Sequence, residues 1–286
     1  MTVSSPLSLG LRERVLAASR TARSGGRAAP AAQQISPAEA FARAVDAFTL
    51  LLSELSTAQW RAPVLRQLDV QGLVGHLIGV ERDVQRALNG DEEVADADHV
   101  ASTQDLATAQ AGRDPAGTRA EWRNAADRTL ELIATAPQRN AGSLLSMHGM
   151  RLPVDAMLVV RAFELWTHES DIRSAVGMPP SVPDPSVLTL MTDLAVQLLP
   201  HALTRSGSAA TTNVHLVLTG DGGGTWDLPM DGRSGPADAA GLMIVVNAVD
   251  FCRLVANRVA PEALDVHIQG DGADGVLTAA PLLALD

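Results

Sequence analysis

Apolar residues recur at helical spacing soon after the start of the chain. Phe41, Val45, Phe48, Leu51 and Leu52 fall on one face behind Ser36-Pro37-Ala38-Glu39. There serine can cap, proline suits the first turn and glutamate completes a capping box. This predicts a helix from Pro37 to about Leu55. A second helix is expected from near Asp69 to the stop at Asn89-Gly90, and a third over Thr118 to Ala134 with Trp122, Ala125, Leu130 and Ile133 inward. A fourth should run from about Val154 to Val176, closed by Gly177 with Pro179 and Pro180 beyond. The acidic and small residues from Asp91 to Gly117 read as a long crossover with a short helix around Gln104 to Gln110. Four helices with one long crossover predict an antiparallel bundle.

The pattern changes after the proline-rich PPSVPDP. A helix at Ser186 to Thr204 is followed by Asn213 to Thr219, where Val214, Leu216 and Leu218 alternate as in a strand. A glycine-rich turn leads to a partner strand at Thr225 to Pro229. A helix from Pro236 to Asn257 and a strand at Leu264 to Gln269 then complete a small α+β unit. Residues 1–35, with an amphipathic stretch around Leu9 to Ala18 and then SGGRAAPAAQQ, read as a flexible extension or a docking helix for a partner. Three segments are thus expected: an extension over 1–35, a bundle over 36–180 and a C-terminal domain over 181–286.

Composition narrows the chemistry. The 286 residues carry a formal net charge of -11 with 22 basic side chains, all arginine, scattered along the chain. No basic stripe awaits a phosphate backbone, so nucleic acid is not an expected partner. No apolar run spans a membrane. The first residues lack a signal layout because Arg12, Glu13 and Arg14 interrupt them, so a cytoplasmic address is expected. The absence of lysine excludes Schiff-base catalysis, pyridoxal attachment and the usual phosphate-binding loop. The single cysteine, Cys252, cannot form an internal disulfide and reads as a core residue.

The fourth helix carries Arg161, Glu164, His168 and Asp171, spaced by three, four and three, and so on one stripe of an otherwise apolar helix. Glu164 and His168 can direct an oxygen and a nitrogen to one point, as metal ligands do, or share an ordinary hydrogen bond. His76 lies mid-helix in LVGHLIG, with Gly72, Gly75 and Gly79 around it. So apolar a setting requires that its ring be satisfied, by a backbone carbonyl or by an ion. Two histidines and a glutamate on one divalent ion would leave open positions, the pattern of a catalytic site.

LDVQGLVGHLIGVERDVQRALNG and VVRAFELWTHESDIRSAVG resemble the metal-binding bundle of the mycothiol-dependent maleylpyruvate isomerase family, within the DinB-like superfamily. The resemblance covers about residues 36–180; DFCRLVANRVAPEALDVHIQGDG looks like the family's smaller, sterol-carrier-like α/β domain. It implies that His76, Glu164 and His168 bind zinc or a similar divalent ion, and that Asp171 is a catalytic or supporting carboxylate. It also implies that Arg258 serves catalysis and cofactor binding, although this chain has Asn257 where family members often have glycine. Mycothiol would be the thiol cosubstrate.

A thiol on a divalent cation ionises near neutral pH, while Arg258 or Arg161 could pair with an anionic substrate. In a cis–trans isomerase the thiolate adds to a conjugated double bond, rotation follows, and elimination returns the thiol. The expected function is thus thiol-using, metal-dependent isomerisation or S-transfer on a small electrophile. Two other readings remain: a non-catalytic binding protein acting through residues 1–35, and a metal-assisted hydrolase. Asp221, Asp231 and Asp271 beside glycines lack the spacing of a calcium loop and read as turns.

Overall fold

The computed structural model describes residues 32–135, 143–207, 213–229 and 240–284. The expected extension over 1–35 and the stretch around Asp231 lie almost wholly outside them. Gln34–Asp286 form one compact unit.

Helix α1 spans Pro37–Glu54, with the Ser36 side chain accepting from the Glu39 amide. Its buried residues include Phe41, Val45, Phe48, Leu51 and Leu52, the face the periodicity predicted. Two short paired strands, β1 (Pro63–Leu65) and β2 (Leu68–Asp69), lead into α2 (Val70–Leu88), which Asp69 caps through the Gly72 amide. The crossover contains a six-residue helix, α3 (Gln104–Ala109), before α4 (Pro115–Thr135). A hairpin of β3 (Leu144–Met147) and β4 (Met150–Pro153) then feeds α5 (Val154–Val176).

Side-chain contacts fix the directions within this four-helix bundle. His76 faces Glu164, and Glu81 faces Arg161, so α2 and α5 run antiparallel. Gln71 bonds Thr118, and Gln85 bonds Thr129, so the long crossover returns α4 alongside α2 in the same direction. The glycines of α2 make room for that crossover. A Cβ on Gly75 would stand 2.7 Å from the Leu106 carbonyl oxygen, and one on Gly79 would stand 2.8 Å from Thr103. Only glycine allows backbone to approach a helix this closely.

The hairpin turns at His148-Gly149, both left-handed (φ 52° and 72°), as a two-residue type I′ turn requires. Their amides donate to the carbonyls of Val94 and Ala95, which pins the turn onto the crossover.

Beyond the bundle, α6 (Pro185–Ser206), α7 (Ala248–Val255) and α8 (Ala273–Ala279) pack on one face of a sheet in the order β6-β5-β7-β8. Its strands are β5 (Asn213–Thr219), β6 (Gly224–Leu228), β7 (Ala240–Asn247) and β8 (Val266–Gln269). β5 and β7 pair in parallel, and the outer pairs are antiparallel. The helix expected over Pro236 to Asn257 is corrected here. Residues 240–247 are a strand whose Leu242, Ile244 and Val246 alternate inward, and the helix begins only after Asn247, whose side chain caps it. In a short, β-branched apolar run the period of two outweighs a helical reading.

A third core joins bundle and sheet layer: Ala40, Val159, Ala162, Trp166, Val187, Leu188, Met191 and Cys252. Helix α5 is therefore apolar on two sides, and its polar stripe faces inward between them. Among the described residues α6 alone is long and apolar enough to cross a membrane, but it buries Val187, Leu188, Val196 and Leu199 in these protein cores.

Candidate metal centre

Four side chains of α5 project along one line, as their spacing requires, and meet residues from three other elements. At the start of the line, Arg161 is fully buried; its Nε and Nη2 donate to Glu81 Oε1 (3.2 and 2.8 Å), and its Nη1 donates to Glu164 Oε2. Thr129 donates to the other Glu81 oxygen (2.7 Å). Burial opposes ionisation of Glu164, but the charge of Arg161 beside it holds its pKa well below the carboxylate range. Arg161, expected as one of two arginines for an anionic substrate, is corrected by this geometry. A guanidinium with no exposure, already shared by two carboxylates, holds the Glu164 carboxylate in place and does not reach a substrate.

The other oxygen, Glu164 Oε1, is buried without a hydrogen-bond partner, and so is His76 Nε2. They are 3.6 Å apart, and His168 Nε2 is 3.9 Å from the same oxygen. One ligand atom from each of His76, Glu164 and His168 lies within 4.8 Å of the others. Two atoms each about 2.0–2.1 Å from one ion stand about 3.4 Å apart in a tetrahedron, so one divalent ion fits among the three. Orphaned buried polar atoms are rare, and here an ion would satisfy both.

Each histidine is held from behind. His76 Nδ1 lies 2.6 Å from Thr103 Oγ1, whose hydroxyl is 3.1 Å from the carbonyls of His99 and Val100. Burial pushes the His76 pKa down to about 4, against the pull of Glu164, so the ring is neutral at neutral pH. His168 Nδ1 lies 3.0 Å from Asp171 Oδ2. Asp171 in turn receives Nε and Nη2 of Arg258 on its two oxygens (2.8 and 2.9 Å). Burial works against Asp171 ionising, yet His168 and Arg258 keep its pKa below the usual value. Asn257, at the position where the resemblance leads one to expect glycine, has φ 55°. Asparagine is among the few residues that enter this left-handed region readily, so the substitution keeps the turn that presents Arg258.

Sequence reasoning missed His99, Thr103 and His148, which come from the crossover and the hairpin, and Glu81 and Asp83, which come from α2. His99 Nε2 is 3.4 Å from Glu164 Oε1. One of the two α2 acids carried a readable signal: Asp83 lies seven residues after His76 and so on the same side of the helix.

A cavity of about 90 Å³ reaches the stripe from the sheet layer. Glu164, His168 and Arg258 stand in its wall with Val160, Phe163 and Leu198, whereas His76 and His99 do not line it. Cys252 is fully buried, and desolvation raises its thiol pKa far above the ordinary value. It offers no thiolate here.

An uncharacterized protein of Mycobacterium tuberculosis, found in two strains, is 28% identical over 247 residues, 84% of this chain and 91% of its own length. The crystal structure of the mycothiol-dependent maleylpyruvate isomerase superposes with a TM-score of 0.56 at 12% identity, covering 81% of this chain and 93% of that one. A mutant of that isomerase gives 0.54 at 11%. These structures share the fold, a helical bundle followed by an α/β layer. The family described as mycothiol maleylpyruvate isomerase N-terminal domain matches residues 41–173, which hold His76, Glu164, His168 and Asp171. Over that span the chain is therefore similar to the N-terminal domain of the mycothiol maleylpyruvate isomerase family.

Proposed function

We propose that the chain is a metal-dependent enzyme that uses a low-molecular-weight thiol, mycothiol, on a small electrophile, as a maleylpyruvate-type cis–trans isomerase or a thiol S-transferase. The observation that carries this reading is the pair of orphaned, buried ligand atoms on His76 and Glu164, set beside His168 at the wall of a cavity. His76, Glu164 and His168 would hold the ion, zinc or a similar divalent metal, whose chemistry is to lower the pKa of a bound thiol and to polarise a carbonyl.

The chain's own groups serve the rest. Arg161 keeps Glu164 ionised and fixed. Asp171 holds the His168 ring so that Nε2 faces the ion position. Arg258 brings positive charge to the cavity wall, where it pairs with an anionic group of the substrate while supporting Asp171. The apolar lining, Val160, Phe163, Leu194 and Leu198, excludes water from that end. At about 90 Å³ the cavity takes only the reacting end of a ligand, so the bulk of a larger thiol lies outside it.

The test is metal content by plasma mass spectrometry on wild type, Glu164→Gln and His168→Ala, with circular dichroism to confirm folding. One metal per wild-type chain, lost from the folded variants, is the expected result. Wild type that stays metal-free after reconstitution sinks the reading. Turnover of maleylpyruvate with mycothiol then separates the two chemistries, since isomerisation returns the thiol and S-transfer consumes it.

A further inference from the structure

Behind the three expected ligands runs a chain of hydrogen-bonding groups that ends at the same point. Asp83 Oδ2 is 3.0 Å from His148 Nε2, His148 Nδ1 is 3.0 Å from His99 Nδ1, and His99 Nε2 is 3.4 Å from Glu164 Oε1. The side chains of Asp83, His99 and His148 are buried, that of His148 completely, and that of Glu164 is nearly so.

Hydrogen-bond complementarity sets the order of donors along this chain. An ionised carboxylate can only accept, so His148 must donate from Nε2, which leaves Nδ1 of the neutral ring as an acceptor. His99 Nδ1 must then be the donor to it, and His99 Nε2 is left with a lone pair. The same reasoning covers the other two rings. His168 donates from Nδ1 to Asp171. Thr103 can send its own hydroxyl proton to the carbonyls of His99 and Val100, and so receives a proton from His76 Nδ1. Three imidazole lone pairs therefore face one carboxylate oxygen, those of His99, His76 and His168 at 3.4, 3.6 and 3.9 Å from Glu164 Oε1, with no donor hydrogen among them; His76 and His168 lie with that oxygen within 4.8 Å of one another, and His99 stands just outside that trio. Four acceptors turned on one another are tolerable only around a cation.

Resting on the metal reading above, we infer that His99 is a fourth protein ligand, so that the ion is held by three histidines and Glu164, with Asp83 and His148 fixing the His99 tautomer. His99 does not line the cavity, whose wall holds Glu164 and His168. The cavity side stays open for an incoming thiol or carbonyl as a fifth ligand, a coordination number that catalytic zinc sites reach. The crossover and hairpin thereby become part of the metal centre and not merely a covering over α2.

X-ray absorption at the zinc edge of the reconstituted full-length protein counts the imidazoles directly, without relying on any variant. Three imidazoles in wild type, falling to two in folded His99→Ala, is the expected result. Two in wild type would overturn the inference and leave His99 as a donor to Glu164 from the opposite tautomer, with the three-ligand site intact. A protein that takes up no zinc would overturn the metal reading and this inference together, and metal analysis of the same sample shows which has failed.

Discussion

Helix α5 and the irregular chain packed against α2 supply one centre by different means. From α5 come Arg161, Glu164, His168 and Asp171, placed by helical pitch alone, within eleven positions of one another. From the crossover and hairpin come His99, Thr103 and His148, spread over 50 residues and placed only by tertiary contacts: glycines that admit the backbone, and a left-handed turn pinned to Val94 and Ala95. The first set puts Glu164 and His168 in the cavity wall, and none of the second set lines it. A helix positions ligands cheaply but only on its own line, so a site that surrounds an ion needs the second kind of construction.

The sharpest way to break the helical half is Arg161→Leu. Both Glu81 and Glu164 then lose their buried partner, and removing one member of such a pair costs about 3–5 kcal/mol. Urea unfolding should show this loss, and a change under about 1 kcal/mol would mean that the guanidinium is not the keystone of α5.

His76 joins the two halves, its Nε2 turned to the stripe and its Nδ1 to the crossover, and acid probes that junction. Its folded pKa of about 4 lies below the 6.5 of an unfolded histidine, so between these values the unfolded state binds the extra proton. Stability should be at its full value above pH 6.5 and fall as the pH drops towards 4, by about 3 kcal/mol in all. The depressed carboxylates Glu164, Asp171 and Asp83 add losses only at the lower end of that range. Urea midpoints of chelator-treated protein at pH 7.5 and 5 measure the effect, and a folded His76→Gln variant should show a flatter profile.

The smallest effect tests the irregular half. His148→Ala leaves every α5 residue in place but removes the support of His99, and loss of such support lowers metal affinity about 10–100-fold. Zinc competition against a chelator should show that range. An unchanged affinity would reduce the crossover and hairpin to packing.

The same contrast explains what could be read before the structure. The bundle helices were legible to within a few residues because their apolar period is long and their caps are explicit, as at Ser36 and Gly177. The α5 stripe was legible for the same reason. His99 and His148 were not, because a histidine in irregular chain has no period to betray its direction, and the hairpin at 144–153 announces itself only by a His-Gly pair. Arg161 and Arg258 looked equivalent in the sequence; burial separates them, and burial is a property of the whole fold. The strand at 240–247 was lost to the helix that follows it, since one apolar run serves both.

The fork from Arg258 to Asp171 spans 87 residues of sequence. A ribosome releases the helix carrying His168 well before it releases the arginine that steadies that histidine's carboxylate. During synthesis the three proposed ligands can all have emerged while the cavity wall and its guanidinium do not yet exist. The chain thus carries an order of assembly in its primary structure: on the proposed metal reading an ion can be captured early, but the finished centre must wait until the last quarter of the protein has been made and docked.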